Sequence, residues 1–364
     1  MKKQKLALVV GARPNFMKAA PLMRELRRHP ERFAPILIHT GQHYDTKMSD
    51  LFFKELGMPM PDIFLGVGSG THAEQTARIM IEMEKALTAE RPDLTVVFGD
   101  INSTMAASIV AAKLGIPVAH VEAGLRSFDN GMPEEINRIV TDRLSDILFV
   151  SEPSGLKNLA NEGVPEEKIH FVGNIMIDSL IASLEACRKS AILNQLSLQP
   201  KRFVVLTLHR PSNVDNQHIL HDLLMAIAEI GARVPVVFPC HPRTAKEMNK
   251  GGVLDQIDPK ILRITEPLGY LDFLRLQSDS FFVVTDSGGI QEETTYLQIP
   301  CITLRYNTER PVTVDEGTNL LIGPEPEKLL EVANDIIAGR SKKGKIPQLW
   351  DGRTAERIVA LLGS

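Results

Sequence analysis

The sequence is short of cysteine. Three occur in 364 residues, Cys187, Cys240 and Cys301, far apart, odd in number and without a CxxC pair. That spacing supports neither a disulfide framework nor a cysteine-based zinc site. An excess of one charge is missing as well: Lys+Arg 41 against Asp+Glu 45 gives a formal net charge of -4. Non-specific nucleic-acid binding needs a basic surface to release counterions, so no nucleic-acid partner is expected. A small phosphorylated ligand stays open, because one local cluster of arginines and amides is enough to hold it. No run approaches the ~18 apolar residues of a membrane span, and no membrane insertion is expected. The start, Met1-Lys2-Lys3-Gln4-Lys5 before Leu6–Val10, imitates a signal peptide. Its apolar stretch stops at Gly11-Ala12-Arg13-Pro14, too soon for a signal h-region. The expected location is the cytoplasm. No internal repeat or low-complexity segment stands out.

What is present is the 43% hydrophobic, 24% charged composition of an ordinary globular protein. At about 150 residues per domain, the length indicates about two domains. Short apolar runs alternate with amphipathic stretches. Candidate strands are Leu6–Val10, Ala34–Thr40, Leu94–Gly99, Val118–Glu122, Ile147–Val150 and Ile169–Val172, then Phe203–Leu208, Val234–Pro239, Ile261–Ile264, Phe281–Thr285 and Cys301–Leu304. They lack polar alternation, as parallel strands covered on both faces do. Helical patterns lie between them at Lys18–Arg28, His72–Ala89, Ser103–Leu114 and Ile290–Tyr296. The alternation implies an α/β protein with doubly wound parallel sheets. Residues 1–175 and 176–345 form the expected domains, and Thr354–Leu362 reads as a final helix.

Ligands of such sheets bind beyond the carboxyl ends of the strands. At the first end, Gly11-Ala12-Arg13-Pro14 opens a helix suited to an anion, with Arg13 as a fork and Lys18 one turn on; a plain loop with solvated basic residues is the alternative. Gly66-Val67-Gly68-Ser69-Gly70 imitates a dinucleotide fingerprint, but Thr71 stands where the third glycine belongs. Ser69 or Thr71 as a helix N-cap accounts for it better. Asp100 ends one strand and Glu122 the next, and Ser103 can cap the helix between them, leaving Asp100 free. Glu134 and Glu135 begin a helix, where the dipole alone favours acids. His120-Val121-Glu122 imitates a zinc deaminase HxE, but Pro239-Cys240-His241 lacks the second cysteine. His209, beside Arg210, suits acid–base work or phosphate binding, and Cys240-His241-Pro242-Arg243-Thr244 repeats the pattern. In Thr285-Asp286-Ser287-Gly288-Gly289-Ile290-Gln291-Glu292-Glu293, two glycines and a helix start fit a pyrophosphate, with Glu293 in reach of a ribose. Arg305 and Arg310 follow.

The segments GARPN, TGQH, GDINST, HVEAGLRS, MPEEINR, LTLHRPSN, HPRT, PLGYLDF, TDSGGIQEE and TERPVT, in that order, resemble the non-hydrolysing UDP-N-acetylglucosamine 2-epimerases. The likeness runs from Leu6 to about Gly323. It implies the GT-B arrangement, two Rossmann-like domains facing a central cleft, with residues 346–364 crossing back to the first. It implies conversion of UDP-GlcNAc to UDP-ManNAc by elimination of UDP through 2-acetamidoglucal and re-addition. Asp100, Glu122, Glu134 and His209 are then the catalytic groups, with Glu135 a bystander. Arg13, Ser287, Gly288, Gly289 and Arg310, together with His209, meet the pyrophosphate; Lys18 is a further binding residue, Glu293 holds the ribose and Phe273 lines the uracil pocket. No metal or other cofactor is called for, and a homodimer is expected. In members activated by a second UDP-GlcNAc, Arg and Gln follow the TGQH-like motif and HRREN stands at the histidine. Tyr44-Asp45 after His43, and Pro211, depart from this, so such activation is expected to be weak or absent. The same departures hint at a modified sugar such as a UDP-2,3-diacetamido-uronic acid. A hydrolysing epimerase, a GT-B glycosyltransferase and a non-catalytic UDP-sugar sensor are the rival readings.

Overall fold

A computed structural model describes residues 3–42, 53 and 55–363; His43, Tyr44 and Asp45 lie outside them. The chain forms two compact units, Met1–Ala182 with Gln348–Ser364, and Ser183–Pro347. The first unit runs β1 (Gln4–Val10), α1 (Arg13–Leu26), β2 (Phe33–His39), β3 (Ile63–Phe64), α2 (His72–Glu90), β4 (Leu94–Phe98), α3 (Asn102–Lys113), β5 (Val118–Ala123), α4 (Pro133–Leu144), β6 (Ile147–Val150), α5 (Pro153–Asn161), β7 (Ile169–Phe171) and most of α6 (Ile175–Cys187), whose last residues belong to the second. The second runs α7 (Ile192–Gln195), β8 (Val204–Thr207), α8 (Pro211–Val214), α9 (Gln217–Gly231), β9 (Val236–Pro239), α10 (Pro242–Lys250), β10 (Leu262–Thr265), α11 (Tyr270–Asp279), β11 (Phe282–Thr285), α12 (Gly288–Leu297), β12 (Cys301–Thr303), α13 (Pro311–Asp315), β13 (Asn319–Leu321) and α14 (Pro326–Ile337). The last helix, α15 (Thr354–Leu362), packs on α1 in the first unit.

Each unit is a Rossmann-like α/β layer structure around one parallel sheet. The orders are β3-β2-β1-β4-β5-β6-β7 and β10-β9-β8-β11-β12-β13. The apolar runs become strands because both faces are covered by helices, as the full burial of β4 shows. In each sheet the strand order reverses once, between β1 and β4 and between β8 and β11. Loops leave in opposite directions there and open a crevice at the carboxyl edge. Several helices begin at proline, which lacks the amide that a helix start leaves unpaired: Pro133 opens α4 and Pro326 opens α14. Thr71 caps α2 in a reciprocal pair with Glu74. Ser103, expected as the cap of α3, is inside that helix. Its hydroxyl donates to Gln42 Oε1 at 2.7 Å, a tertiary contact that outbids the local one, and Ile101 stands at the N-cap without a side-chain bond.

Candidate active site

At the first switch point the strand ends carry acids against buried cations. β4 and β5 are neighbours in parallel register, Phe98 beside Val121, so Asp100 and Glu122 leave adjacent strand ends. Glu122 sits at a bulge where the β5–β6 register shifts. Its φ is +77°, left-handed for a residue with a side chain. Such backbone costs of the order of 1–3 kcal/mol and persists where the surroundings over-determine it. The buried ammonium of Lys18, from α1, contacts the Glu122 carboxylate. Gly99 makes room for the pair, since a Cβ there would fall 2.7 Å from Lys18 Nζ. Asp100 is paired with Arg138 of α4.

Arg138 is itself fixed from behind. Its Nε and Nη2 donate to Glu135 Oε2 at 2.9 and 2.6 Å. Glu135 also accepts from the amides of Ser127 (3.0 Å) and Phe128 (2.9 Å). Burial alone would raise the Glu135 carboxyl, but the Ser127 amide and the Arg138 guanidinium outweigh it and hold it below the usual range. The buried Glu135 oxygens collect donors that fix Arg138 and the loop before α4. Glu134, next to it, is half-buried in the first turn. Arg13 is exposed at the start of α1.

The second switch point is organised by one aspartate. Asp286, fully buried beyond β11, accepts from the amides of His209 (3.0 Å) and Arg210 (2.9 Å) and from Asn213 Nδ2 (3.1 Å). His209 Nδ1 lies 2.8 Å from its Oδ1. Burial alone would push Asp286 up; the charge and hydrogen bonds of His209 and its neighbour's amide hold it low. With Nδ1 on the carboxylate, the tautomer is set and Nε2 is the nitrogen that the half-exposed ring presents outward. Next to it, Ser287 precedes α12, whose first residues Gly288 and Gly289 leave amides open at a helix N-terminus. Glycine at 288 is required by close approach: a Cβ would fall 2.7 Å from both Arg310 Nη1 and Glu309 Oε1. Arg310 is buried in ion pairs with Glu309 and, at 2.8 Å, with Glu292. On α12, Glu293 accepts from the Tyr270 hydroxyl at 3.0 Å. Phe273, on α11, is half-buried against the apolar cluster containing Leu276 and Ile290.

Thus Lys18, Asp100 and Glu122 gather at one sheet end, Glu134 stands in the first turn of α4, and His209, Ser287, Gly288, Gly289, Glu293 and Arg310 lie around the other sheet end. Asp286 and Arg138 were not singled out from the sequence, and Glu135 was read there only as an acid at a helix start. The rule that flagged Asp100, an acid at a strand end, applies equally to Asp286, and the i,i+3 spacing of Glu135 and Arg138 is a helix pair. Among the described residues, no group of three or more His, Cys, Asp or Glu side chains could hold a metal ion.

Residues 24–363 match the model of a family described as UDP-N-acetylglucosamine 2-epimerase. The chain belongs to the UDP-N-acetylglucosamine 2-epimerase family. A relative named UDP-N-acetylglucosamine 2-epimerase, from Methanocaldococcus jannaschii, is 44% identical over 98% of each chain. A UDP-2,3-diacetamido-2,3-dideoxy-D-glucuronate 2-epimerase from Pseudomonas aeruginosa is 40% identical over 98% of this chain and 99% of its own. A crystal structure of the M. jannaschii epimerase in complex with UDP-GlcNAc and UDP superposes with a TM-score of 0.91, at 43% identity over 99% of each chain. The fold is thereby that of the GT-B-like epimerases of this family, and the family is one of isomerases.

Proposed function

We propose that this enzyme interconverts UDP-GlcNAc and UDP-ManNAc without net hydrolysis. The observation that carries the reading is the pair of switch points, one furnished with acids and the other with an oriented histidine and open helix amides. The C2 hydrogen of a UDP-hexosamine is not next to a carbonyl, so direct deprotonation would produce a poorly stabilised carbanion. Elimination avoids this. A carboxylate takes the C2 proton, the C1–O bond breaks, and its electron pair leaves with UDP, giving 2-acetamidoglucal. Re-addition of UDP at C1, with a proton delivered to the other face of C2, yields the epimer. Positive charge building at C1 is favoured by the anionic Asp100, Glu122 and Glu134 of the first unit. Negative charge on departing UDP is met in the second unit by the Gly288 and Gly289 amides, the Ser287 hydroxyl and His209, with Arg310 beside Gly288, Glu293 for the ribose and Phe273 for the uracil. Arg13 and Lys18 add positive charge at the end of β1.

Incubation with UDP-GlcNAc in D2O, followed by NMR, tests this. Deuterium at C2 of intact UDP-ManNAc is the expected result. Free ManNAc and UDP would mean a hydrolysing enzyme, and UDP binding without turnover of any UDP-hexosamine would leave a sensor. The P. aeruginosa relative, as near in identity as some 2-epimerases of plain UDP-GlcNAc, favours one further reading: the UDP-2,3-diacetamido uronate as substrate. Its kcat/KM should be compared in the same assay.

No helix among the described residues is long and apolar enough to cross a membrane, in keeping with a cytoplasmic enzyme acting on precursors of surface polysaccharide. We propose a homodimer through α3 and α4. Next to α3, most of whose residues are buried, α4 carries Ile136 and Ile139, three residues apart and 51% and 42% exposed. Ile139→Glu should shift the mass measured by light scattering from dimer to monomer; an unchanged mass would place the contact elsewhere.

A further inference from the structure

Behind the acids of the first unit lies a second charged cluster. His120, on β5, and Asp142, on α4, are fully buried, with side chains 0% and 1% exposed. His120 Nδ1 lies 2.6 Å from Asp142 Oδ1, and Nε2 lies 2.8 Å from the Gly99 carbonyl. Asp142 Oδ2 accepts from the Gly124 amide at 3.0 Å and from Arg126 Nη1 at 2.7 Å. Arg126 in turn forks onto Glu162 at 2.8 and 2.7 Å. Neither His120 nor Asp142 is open to a substrate, and a simple fold contact would not need a carboxylate in the core, where ions are costly.

What the pair touches is specific. The Gly99 carbonyl belongs to the peptide that leads into Asp100. The Gly124 amide belongs to the peptide that follows the left-handed Glu122 by one residue. One imidazole–carboxylate pair therefore fixes a peptide plane just beyond each of two neighbouring strand ends.

We propose that His120 and Asp142 are positioning residues that set the separation and aim of Asp100 and Glu122, and so keep the glycal intermediate on the productive path. The proposal rests on the epimerase reading above. Reacting groups held within a fraction of an ångström lose about 10²-fold when displaced by about 1 Å. A loosened pair of acids slows both elimination and re-addition, and slower re-addition gives the glycal time to escape.

The test uses the full chain with His120→Ala, Asp142→Asn and His120→Gln, whose amide can still donate to the Gly99 carbonyl. kcat, KM, the melting curve, and the ratio of released 2-acetamidoglucal plus UDP to epimer are measured by NMR in D2O. Expected are a kcat lower by about 10²-fold in His120→Ala and Asp142→Asn, a KM within about threefold of wild type, and a raised glycal share. His120→Gln should recover a large part of the loss. Activity falling only with the folded fraction, at the wild-type glycal ratio, overturns the proposal, as does kcat within about twofold of wild type. If the first two variants do not fold, His120→Gln decides alone: a glycal share above wild type supports the proposal, and an equal share overturns it. A wild-type protein that turns over no UDP-hexosamine overturns the reading beneath and the inference with it; an active wild type with unaffected variants overturns the inference only.

Discussion

At the first switch point two acids, Asp100 and Glu122, are each held against a buried cation, Arg138 and Lys18. At the second, the arrangement is inverted. One buried acid, Asp286, holds a histidine, and the cation, Arg310, is compensated by Glu292 and Glu309. The same doubly wound plan thus serves two electrostatic tasks. Fixed carboxylates that need no reorganisation favour a developing positive charge. A helix start with open amides and a presented imidazole favours an anion without an uncompensated arginine. The division makes a claim that can be broken: substitutions in the first unit should remove chemistry, and those in the second should remove nucleotide affinity.

The largest effect belongs to Glu122→Gln. It keeps the volume but loses the charge proposed above to favour C1, and the anionic partner of Lys18. kcat should fall by about 10²–10⁴-fold, while UDP affinity by calorimetry stays within about twofold. Retained turnover with weakened UDP binding would reverse the assignment of tasks. Next is Asp286→Asn, which leaves at least one of the four donors around that carboxyl facing an amide NH2. Stability by urea denaturation should drop by about 1–3 kcal/mol, and UDP should bind about tenfold more weakly as His209 loses its anchor. Loss of turnover at unchanged UDP affinity would place His209 among the reacting groups alone.

How far this could be read beforehand depended on burial. Ile147–Val150 and Thr354–Leu362 coincide with β6 and α15, because a fully covered strand and an amphipathic helix each carry a pattern. Ile63–Phe64 and Asn319–Leu321 pair as β3 and β13; a two-residue edge strand is too short to carry one, and β13 opens on the polar Asn319. The first helix begins at Arg13 rather than Lys18 because Pro14 is accepted in its first turn. Asp100 and Glu122 were legible as acids at strand ends. Which of Glu134 and Glu135 is buried was not, since both suit the helix dipole and only the Ser127–Phe128 amides distinguish them. The turned backbone of Glu122 left no trace in the sequence either, because a bulge depends on the neighbouring strand.

The smallest effect separates two buried aspartates. Asp286 is held low by the His209 ring and the amides of His209 and Arg210, whereas Asp178, on α6, has no cationic or imidazole partner among the described residues, only the Thr354 and Ala355 donors and the like charge of Asp351. It accepts from Thr354 N at 3.2 Å and Ala355 N at 2.8 Å, fastening the start of α15. Burial outweighs those bonds and pushes its carboxyl from the usual 3.8 to about 6. An acid whose folded value is raised binds more protons folded than unfolded between these two values, so its contribution to stability is present below about pH 4 and lost as pH rises through 6. The shift corresponds to about 3 kcal/mol. Asp178→Asn is neutral throughout and can still accept one amide. Above pH 6 it should therefore melt a few degrees higher than wild type, and the gap should close toward pH 4. A pH-independent gap would show that Asp178 titrates like an exposed acid. The lowered Asp286 contributes with the opposite sign, losing stability only below the ordinary carboxylate range, so thermal melts across pH 4–7 read Asp178 with little interference from it.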